Sequence, residues 1–177
     1  MTQPRYRLLQ AREADEPTRA EEHAAFADKL GIPADAIASF DLLTERPTFD
    51  RVTAGVDAVL VGGSGRFGIN DDTPWLPAFI DVLGELAARD YPTFASCFGF
   101  QGLVVALGTS VVSDPTCSEV GTYEVSTCTA AASDPVFSFL PAHFAAQMGH
   151  KDSAAALPSG AVHLVQSNRC AYQAIRL

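Results

Sequence analysis

One cysteine stands where a strand is predicted to turn sharply into a helix. A short β-prone piece precedes Cys97, and the apolar run Leu103–Leu107 after it ends at Gly108. In such an elbow the side chain is lifted clear of the sheet, and the N–H groups of the following helix favour a thiolate. Gly99 would let the backbone pass close beneath the turn. The pattern predicts a nucleophilic thiol at Cys97, against the alternative that it is an inert, buried small hydrophobe.

A glycine-rich loop follows another predicted strand. Val56–Val61 is an apolar run typical of a buried parallel strand, and Gly62–Gly68 after it contains four glycines. Glycines at a strand end leave backbone N–H groups uncovered for a ligand. The lysine of a phosphate-binding loop is missing, and the spacing does not fit a dinucleotide fingerprint. The loop is either a backbone binding site or a plain flexible connection.

The element pattern predicts an α/β fold with a mainly parallel central sheet. Ligands in such sheets gather at the carboxyl ends of the strands, where the glycine loop and Cys97 both lie. The later half is expected to be antiparallel in part. Besides those above, the predicted strands and helices are Tyr6–Gln10, Thr18–Leu30, Ile37–Leu43, Trp75–Arg89, Gly121–Cys128, Phe144–Met148 and Val162–Val165.

The first predicted helix carries cap signals and many charges. Thr18 is expected to cap it, Glu21 has capping-box spacing, and Gly31 can end it. His23 is expected to be a surface residue without partners. The acidic residues here are interpreted as a solvated face: Glu13, Asp15, Glu16, Glu21 and Glu22.

Length and composition narrow the class of protein. The 177 residues are expected to form one domain, residues 1–177, with 47% hydrophobic residues for its core. A net charge of −9 argues against nucleic acid and anionic membranes as partners. Four cysteines without a secretory signal indicate a reducing, cytoplasmic location, and no apolar run is long enough to span a membrane.

The motifs together resemble class I glutamine amidotransferases. Ala95–Gln101 resembles that family's G-x-C-x-G-x-Q elbow, and the resemblance extends over roughly residues 57–176. The sequence is similar in particular to stand-alone proteins related to the glutaminase domain of GMP synthetase. The family's fold is a three-layer α/β/α, flavodoxin-like domain. The other matching segments are Val59–Gly63, Ser118–Gly121, Gly149–Asp152 and Leu157–Ala161.

The resemblance implies an activity and a set of site residues. Cys97 would attack the side-chain amide of glutamine and release ammonia for an acceptor, which a synthetase partner could carry. The backbone N–H groups of Gly63 and Phe98 would form the oxyanion hole. No cofactor is implied. The residues expected to bind glutamine are Gly62, Gln101, Lys151 and Asp152.

Two departures from the family pattern concern catalysis. Ala95 replaces the first glycine of the elbow, which is a minor change. The family's acid/base histidine lies in a late F-H-P-E motif, and no His-Pro-Glu occurs in these 177 residues. The sequence therefore looks cut short, and slow or absent glutamine hydrolysis is expected. His150 matches a histidine that shapes the pocket, and His143 and His163 are expected to be partly buried and hydrogen-bonded.

Alternatives to an amidotransferase remain open on the sequence. One is a pseudoenzyme that binds glutamine or a partner without catalysis. Another is a cysteine hydrolase of the intracellular protease and chaperone group. No metal site is expected, because Cys117, Cys128 and Cys170 lack zinc-type spacing.

Overall fold

The computed structural model describes residues 3–177, and the chain divides into two compact units. One unit ends at Ala106 and the other is Leu107–Leu177. The single domain stays a prediction. The first unit contains, in order, β1 Tyr6–Gln10, α1 Pro17–Leu30, a 3₁₀ turn Ala34–Ala36, β2 Ile37–Asp41, α2 Phe49–Thr53, β3 Ala58–Val61, α3 Leu76–Ala88, β4 Thr93–Ala95 and α4 Phe98–Ala106.

The first unit is built on a parallel sheet with the strand order β2-β1-β3-β4. Its central strand β1 pairs in parallel with β2 on one side and β3 on the other. Leu8 and Leu9 on β1 are almost completely buried. Because successive residues point to opposite faces, both faces of the sheet are covered. This confirms the prediction of an α/β fold with a parallel sheet.

Helices cover the two faces of this sheet. On one face, Leu8 and Leu60 form a cluster with Ala27 of α1. The next residue, Val61, faces the other side, where α4 approaches so closely that a Cβ on Gly99 would lie 2.7 Å from the Val61 Cβ. The first unit is therefore a three-layer α/β/α arrangement.

The second unit is mostly antiparallel, as predicted. Its larger sheet has the order β10-β9-β6-β7, and β5 and β8 form a separate pair. Val125 and Leu164 lie at its buried centre. Its elements are β5 Val111–Ser113, β6 Glu119–Thr127, 3₁₀ turns Thr129–Ser133 and Phe137–Phe139, β7 His143–His150, β8 Asp152–Ala154, β9 Val162–Ser167 and β10 Ala174–Arg176.

The predicted start of the first helix was wrong. The helix begins at Pro17, with Glu16 as its N-cap residue and no side-chain cap bond, so Thr18 lies inside the helix. A proline at the first helical position is favoured because its fixed φ suits the helix and its missing N–H is not needed there. Gly31 ends the helix with a φ of 64°, as predicted.

His23 also departs from the prediction of an unpartnered surface residue. Its ring is half-buried, and Nε2 lies 2.9 Å from the carbonyl oxygen of Ile37. The contact ties α1 to the start of β2. No helix among residues 3–177 has both the length and the apolar character required to cross a membrane.

Candidate functional site

The candidate site lies where β3 and β4 end together. The two strands pair in parallel, with Val61 opposite Ala95. Gly62 and Cys97 therefore lie at the same carboxyl edge of the sheet. Cys97 is exposed and has a φ of 51°. For a non-glycine residue this left-handed conformation costs roughly 1 to 3 kcal/mol, and residues strained in this way cluster at active sites and ligand-binding sites.

Backbone hydrogen bonds hold the elbow in this conformation. The Ser96 N–H donates to the Val61 carbonyl at 2.9 Å, and the Gly99 N–H reaches both the Ser96 and the Gly62 carbonyl oxygens, at 2.9 and 3.1 Å. Gly99 is required because a side chain there would collide with Val61. The predicted role of this glycine, a close passage of the backbone, is confirmed.

Gly63 lies directly beside the thiol. A Cβ built on Gly63 would be 3.8 Å from the Cβ of Cys97 and 4.0 Å from its Sγ. The sequence prediction that the glycine loop and Cys97 meet at one sheet edge is thus confirmed. The role of Gly63 as an oxyanion donor stays a prediction.

The Gly63 N–H has a partner that the sequence analysis missed. It donates to Oε1 of Glu22 on α1 at 3.0 Å. The same oxygen accepts from Arg12 Nη2 at 3.1 Å, and Gln10 Nε2 donates to the other carboxylate oxygen at 3.1 Å. Only 9% of the Glu22 side chain is exposed. Interpreting Glu22 as part of a solvated face was wrong, because α1 turns this residue inward.

Arg12 and its carboxylate partners form a buried charge cluster next to the glycine loop. Arg12 is 7% exposed and also pairs with Glu16 at 2.7 Å. Burial by itself disfavours the guanidinium charge, but the hydrogen bonds and charges of Glu22 and Glu16 outweigh it, so the pKa of Arg12 is raised. Arg12 Nη2 would lie 3.7 Å from a Cβ on Gly63. The positive charge of Arg12 therefore lies beside the glycine loop, as the Cys97 thiol does.

The orientation of one peptide plane follows from these contacts. The Gly62 carbonyl accepts from Gly99, while the N–H of the same peptide unit, on Gly63, donates to Glu22. In a trans peptide the C=O and N–H point in opposite directions. The bond from Gly99 beneath the elbow therefore directs the Gly63 N–H toward Glu22.

The remaining residues predicted in the first unit lie on α4. Phe98 is 2% exposed, and its ring stacks on Phe79 with centroids 5.3 Å apart. Gln101 is buried, and its backbone N–H donates to the Cys97 carbonyl at 3.0 Å, one helical turn beyond the thiol. The alternative of an exposed helix residue is wrong for Gln101. Its contact with glutamine stays a prediction.

Lys151 and Asp152 belong to the second unit. Lys151 is exposed in the bend between β7 and β8, and Asp152 accepts a hydrogen bond of 2.5 Å from the Ser113 hydroxyl. Their role in binding glutamine stays a prediction.

The histidines of the second unit are all hydrogen-bonded. His163 is partly buried and lies 3.2 Å from the Val165 carbonyl. His143 contacts the Ser126 hydroxyl at 3.1 Å but is exposed, which corrects the prediction of partial burial. His150 lies 3.1 Å from the Glu119 carboxylate.

Sequence comparisons find no relative for this chain. No family model matches it, and no curated protein matches it. Comparison of structures, in contrast, finds proteins with a similar fold.

Solved structures of three proteins are similar over nearly the whole chain. A glutamine amidotransferase from Thermotoga maritima aligns with a TM-score of 0.75 and 20% identity, covering 99% of this chain and 72% of that one. A protein from Thermoplasma acidophilum, described as a putative subunit of GMP synthase, aligns with a TM-score of 0.71 and 20% identity, covering 99% and 79%. A glutamine amidotransferase from Methylobacillus flagellatus aligns with a TM-score of 0.70 and 23% identity, covering 98% and 65%.

The alignments leave part of each solved structure unmatched. This chain spans 65% of the length of the Methylobacillus protein, so that protein has segments with no counterpart here. TM-scores of 0.70 to 0.75 indicate a shared fold over the part that aligns. This chain has the α/β fold of the solved glutamine amidotransferases.

Proposed function

We propose that this chain is a class I glutamine amidotransferase in which Cys97 is the nucleophile. The observation that supports this most is the exposed thiol held at a φ of 51°, beside Gly63 and at the N-terminus of α4. A strained, exposed cysteine at a strand-to-helix elbow is typical of an activated nucleophile. The motif resemblance and the shared fold agree with this assignment.

The proposed reaction converts glutamine and water into glutamate and ammonia. The Cys97 thiolate forms a C–S bond with the side-chain amide carbon, and the C=O electron pair moves onto oxygen. The oxyanion would be held by the N–H groups of Gly63 and Phe98, each worth about 3 kcal/mol. Collapse breaks the C–N bond and releases ammonia once the nitrogen takes up the proton that the Cys97 thiol lost. No His-Pro-Glu motif occurs in these 177 residues to carry that proton, so this step is expected to be slow. Water then hydrolyses the thioester and regenerates the thiol.

The proposal includes a separate ammonia acceptor. One of the similar structures is described as a putative subunit of GMP synthase. By analogy, we place the acceptor chemistry of this chain on a partner synthetase. Gly62, Gln101, Lys151 and Asp152 are assigned to glutamine binding on the motif resemblance.

Covalent labelling tests the nucleophile. A glutamine-derived chloroketone should alkylate Cys97 ahead of the other three cysteines, and excess glutamine should protect it. Peptide mapping by mass spectrometry gives the ranking. A Cys128→Ser variant should label normally, and a Cys97→Ser variant should not label at that position. Equal labelling of all four cysteines, or no protection by glutamine, would contradict an activated Cys97.

A non-catalytic, glutamine-binding protein is the second candidate. The observation that favours it is the Gly63 N–H, which already donates to Glu22. In that case glutamine would bind saturably by calorimetry, but Cys97 would not label and no ammonia would be released. The two functions are therefore separated by the labelling experiment.

A further inference from the structure

Three potential metal ligands converge inside the second unit. Glu119 is the first residue of β6, His150 is the last residue of β7, and the two lie opposite each other in the sheet. Cys170 lies in the loop between β9 and β10. One ligand atom from each of the three lies within 4.8 Å of those of the other two. Their separation along the chain hides this cluster from any search for short metal-binding motifs.

The cluster is buried, and two of its polar atoms have no hydrogen-bond partner within residues 3–177. Glu119 has 0% exposure and Cys170 has 3%. Glu119 Oε2 accepts from His150 Nε2 and from Gln173 Nε2. Among residues 3–177, however, neither Glu119 Oε1 nor His150 Nδ1 has a hydrogen-bond partner, although both atoms are buried. Such atoms are rare in folded proteins. A cation held by the Glu119 carboxylate would give Oε1 a partner, whereas a cation bound to His150 Nε2 would leave Nδ1 as it is.

We propose that Glu119, His150 and Cys170 form a binding site for a divalent metal ion of the zinc type. A thiolate, an imidazole nitrogen and a carboxylate oxygen are the donor types that zinc combines in proteins. A cation there would neutralise the carboxylate of a fully buried glutamate. This proposal does not depend on the proposed amidotransferase function, because none of its three ligands is assigned there to catalysis or to glutamine binding; the resemblance matches His150 only to a histidine that shapes the pocket.

The distances allow the site to form with a small rearrangement. Tetrahedral zinc with bonds of about 2.0 to 2.3 Å separates its ligand atoms by about 3.3 to 3.6 Å. The His150 Nε2 to Glu119 Oε2 distance is already 3.1 Å. Cys170 would have to approach by no more than about 1.3 Å, given the 4.8 Å limit on the cluster. The fourth position would be filled by water or, after rotation of its carboxamide, by the oxygen of Gln173.

A metal at this position would be structural. It would join the start of β6, the end of β7 and the loop before β10. In that loop the Cys170 carbonyl already accepts from the Ser167 N–H, and the Cys170 N–H donates to the Ser167 hydroxyl. Structural zinc sites contribute directly to folding free energy. We therefore expect zinc to stabilise the second unit and to slow alkylation of Cys170 in moderate urea.

Zinc content and X-ray absorption test the proposal on the full chain. After incubation with zinc and dialysis, the chain should retain about one equivalent of zinc, and the absorption spectrum should show one sulfur at about 2.3 Å with nitrogen and oxygen ligands. Cys170→Ser and His150→Asn should weaken zinc binding about a hundredfold or more, which exceeds the usual effect of losing a residue that only orients a ligand. Cys128→Ser is the matched control and should bind zinc normally.

Each outcome decides for or against the site. No retained zinc, a spectrum with no sulfur or with several, or undiminished binding by a folded Cys170→Ser variant would overturn the proposal. Circular dichroism reports whether the variants fold. Should Cys170→Ser not fold, the wild-type absorption spectrum and the urea-dependent protection of Cys170 by zinc decide the question alone.

Discussion

Replacing Glu22 by glutamine should make Cys97 more reactive toward a glutamine analogue, although Glu22 lies on a different element, α1. In the structure the Glu22 carboxylate accepts the Gly63 N–H that the proposed oxyanion hole needs. An oxyanion can use that donor only after the carboxylate has been displaced. Glu22→Gln keeps the size of the side chain and removes its charge.

The expected size follows from the strength of the contact. A hydrogen bond to a charged acceptor is worth about 1.5 to 3 kcal/mol, and one to a neutral acceptor about 0.5 to 1.5 kcal/mol. The substitution should therefore lower the cost of freeing the Gly63 N–H by about 1 to 1.5 kcal/mol, which corresponds to a rate increase of about five- to tenfold. Stability should fall, because the buried Arg12 guanidinium loses one of its two carboxylate partners.

Two reagents separate this effect from a change in thiolate fraction. Iodoacetamide alkylation of Cys97 needs no oxyanion hole and reports the thiolate alone, whereas a glutamine-derived chloroketone also requires its carbonyl oxygen to be polarised. The ratio of the two rates should rise about five- to tenfold in Glu22→Gln. Glu16→Gln is the control, because it also removes a carboxylate from Arg12, whereas the Gly63 N–H donates to Glu22. An unchanged or lower ratio in a folded Glu22→Gln variant would refute the reasoning.

Two further predictions concern stability and are measured by urea unfolding. Gly99→Ala should lower the free energy of unfolding by about 1 to 3 kcal/mol through overpacking, since its Cβ would lie 2.7 Å from Val61. Gly149→Ala is the control: its Cβ would have nothing within 4 Å, so the free energy of unfolding should change little. The pKa of Asp134 is lowered by its hydrogen bonds from Arg176 and from the backbone of Phe137 and Val136. Its carboxylate should therefore stabilise the fold at neutral pH, and the advantage of the wild type over Asp134→Asn should shrink as the pH falls below about 4. A constant difference across that range, or a tolerated Gly99→Ala, would contradict these assignments.

The sheet edge of the candidate site could be predicted because it depends on local signals. An apolar run followed by glycines, and a β-prone stretch followed by a cysteine and a helix, both mark the carboxyl end of a strand. Parallel pairing of β3 with β4 then brings Gly62 and Cys97 together without further information. The positive φ of Cys97 also belongs to the elbow that its position between strand and helix predicts.

The charged residues around the loop could not be assigned from local pattern alone. Glu22 lies among several acidic residues on α1, and only the packing of that helix decides which of them is buried. Arg12, however, lies two residues after the end of β1 at Gln10, so it is at the same sheet edge as the glycine loop. A charged residue shortly after a strand whose last three residues are buried is the signal that could have pointed to this cluster. The helix start was missed for a different reason, since Pro17 and Thr18 are both acceptable near a helix N-terminus and their order decides the cap.

The convergence of Glu119, His150 and Cys170 depends on long-range pairing. The antiparallel register between β6 and β7 places Glu119 opposite His150, and nothing in the sequence fixes that register locally. Cys170 joins them only because its loop folds back through hydrogen bonds with Ser167. Spacing rules for zinc sites apply to ligands close in sequence, and they therefore gave no indication of this group.

The peptide between Gly62 and Gly63 connects the elbow to the charge cluster. Its carbonyl is held by Gly99 and its N–H by Glu22, so the two contacts favour the same orientation of one plane. Turning the N–H toward an oxyanion would break both bonds, although Gly99 would keep its second acceptor, the Ser96 carbonyl. Because neither residue of this peptide has a side chain, no Cβ of its own hinders rotation of the plane. Glu22 thus acts on the proposed chemistry through the backbone, and a bound substrate must offer the Gly63 N–H a better acceptor than a buried carboxylate.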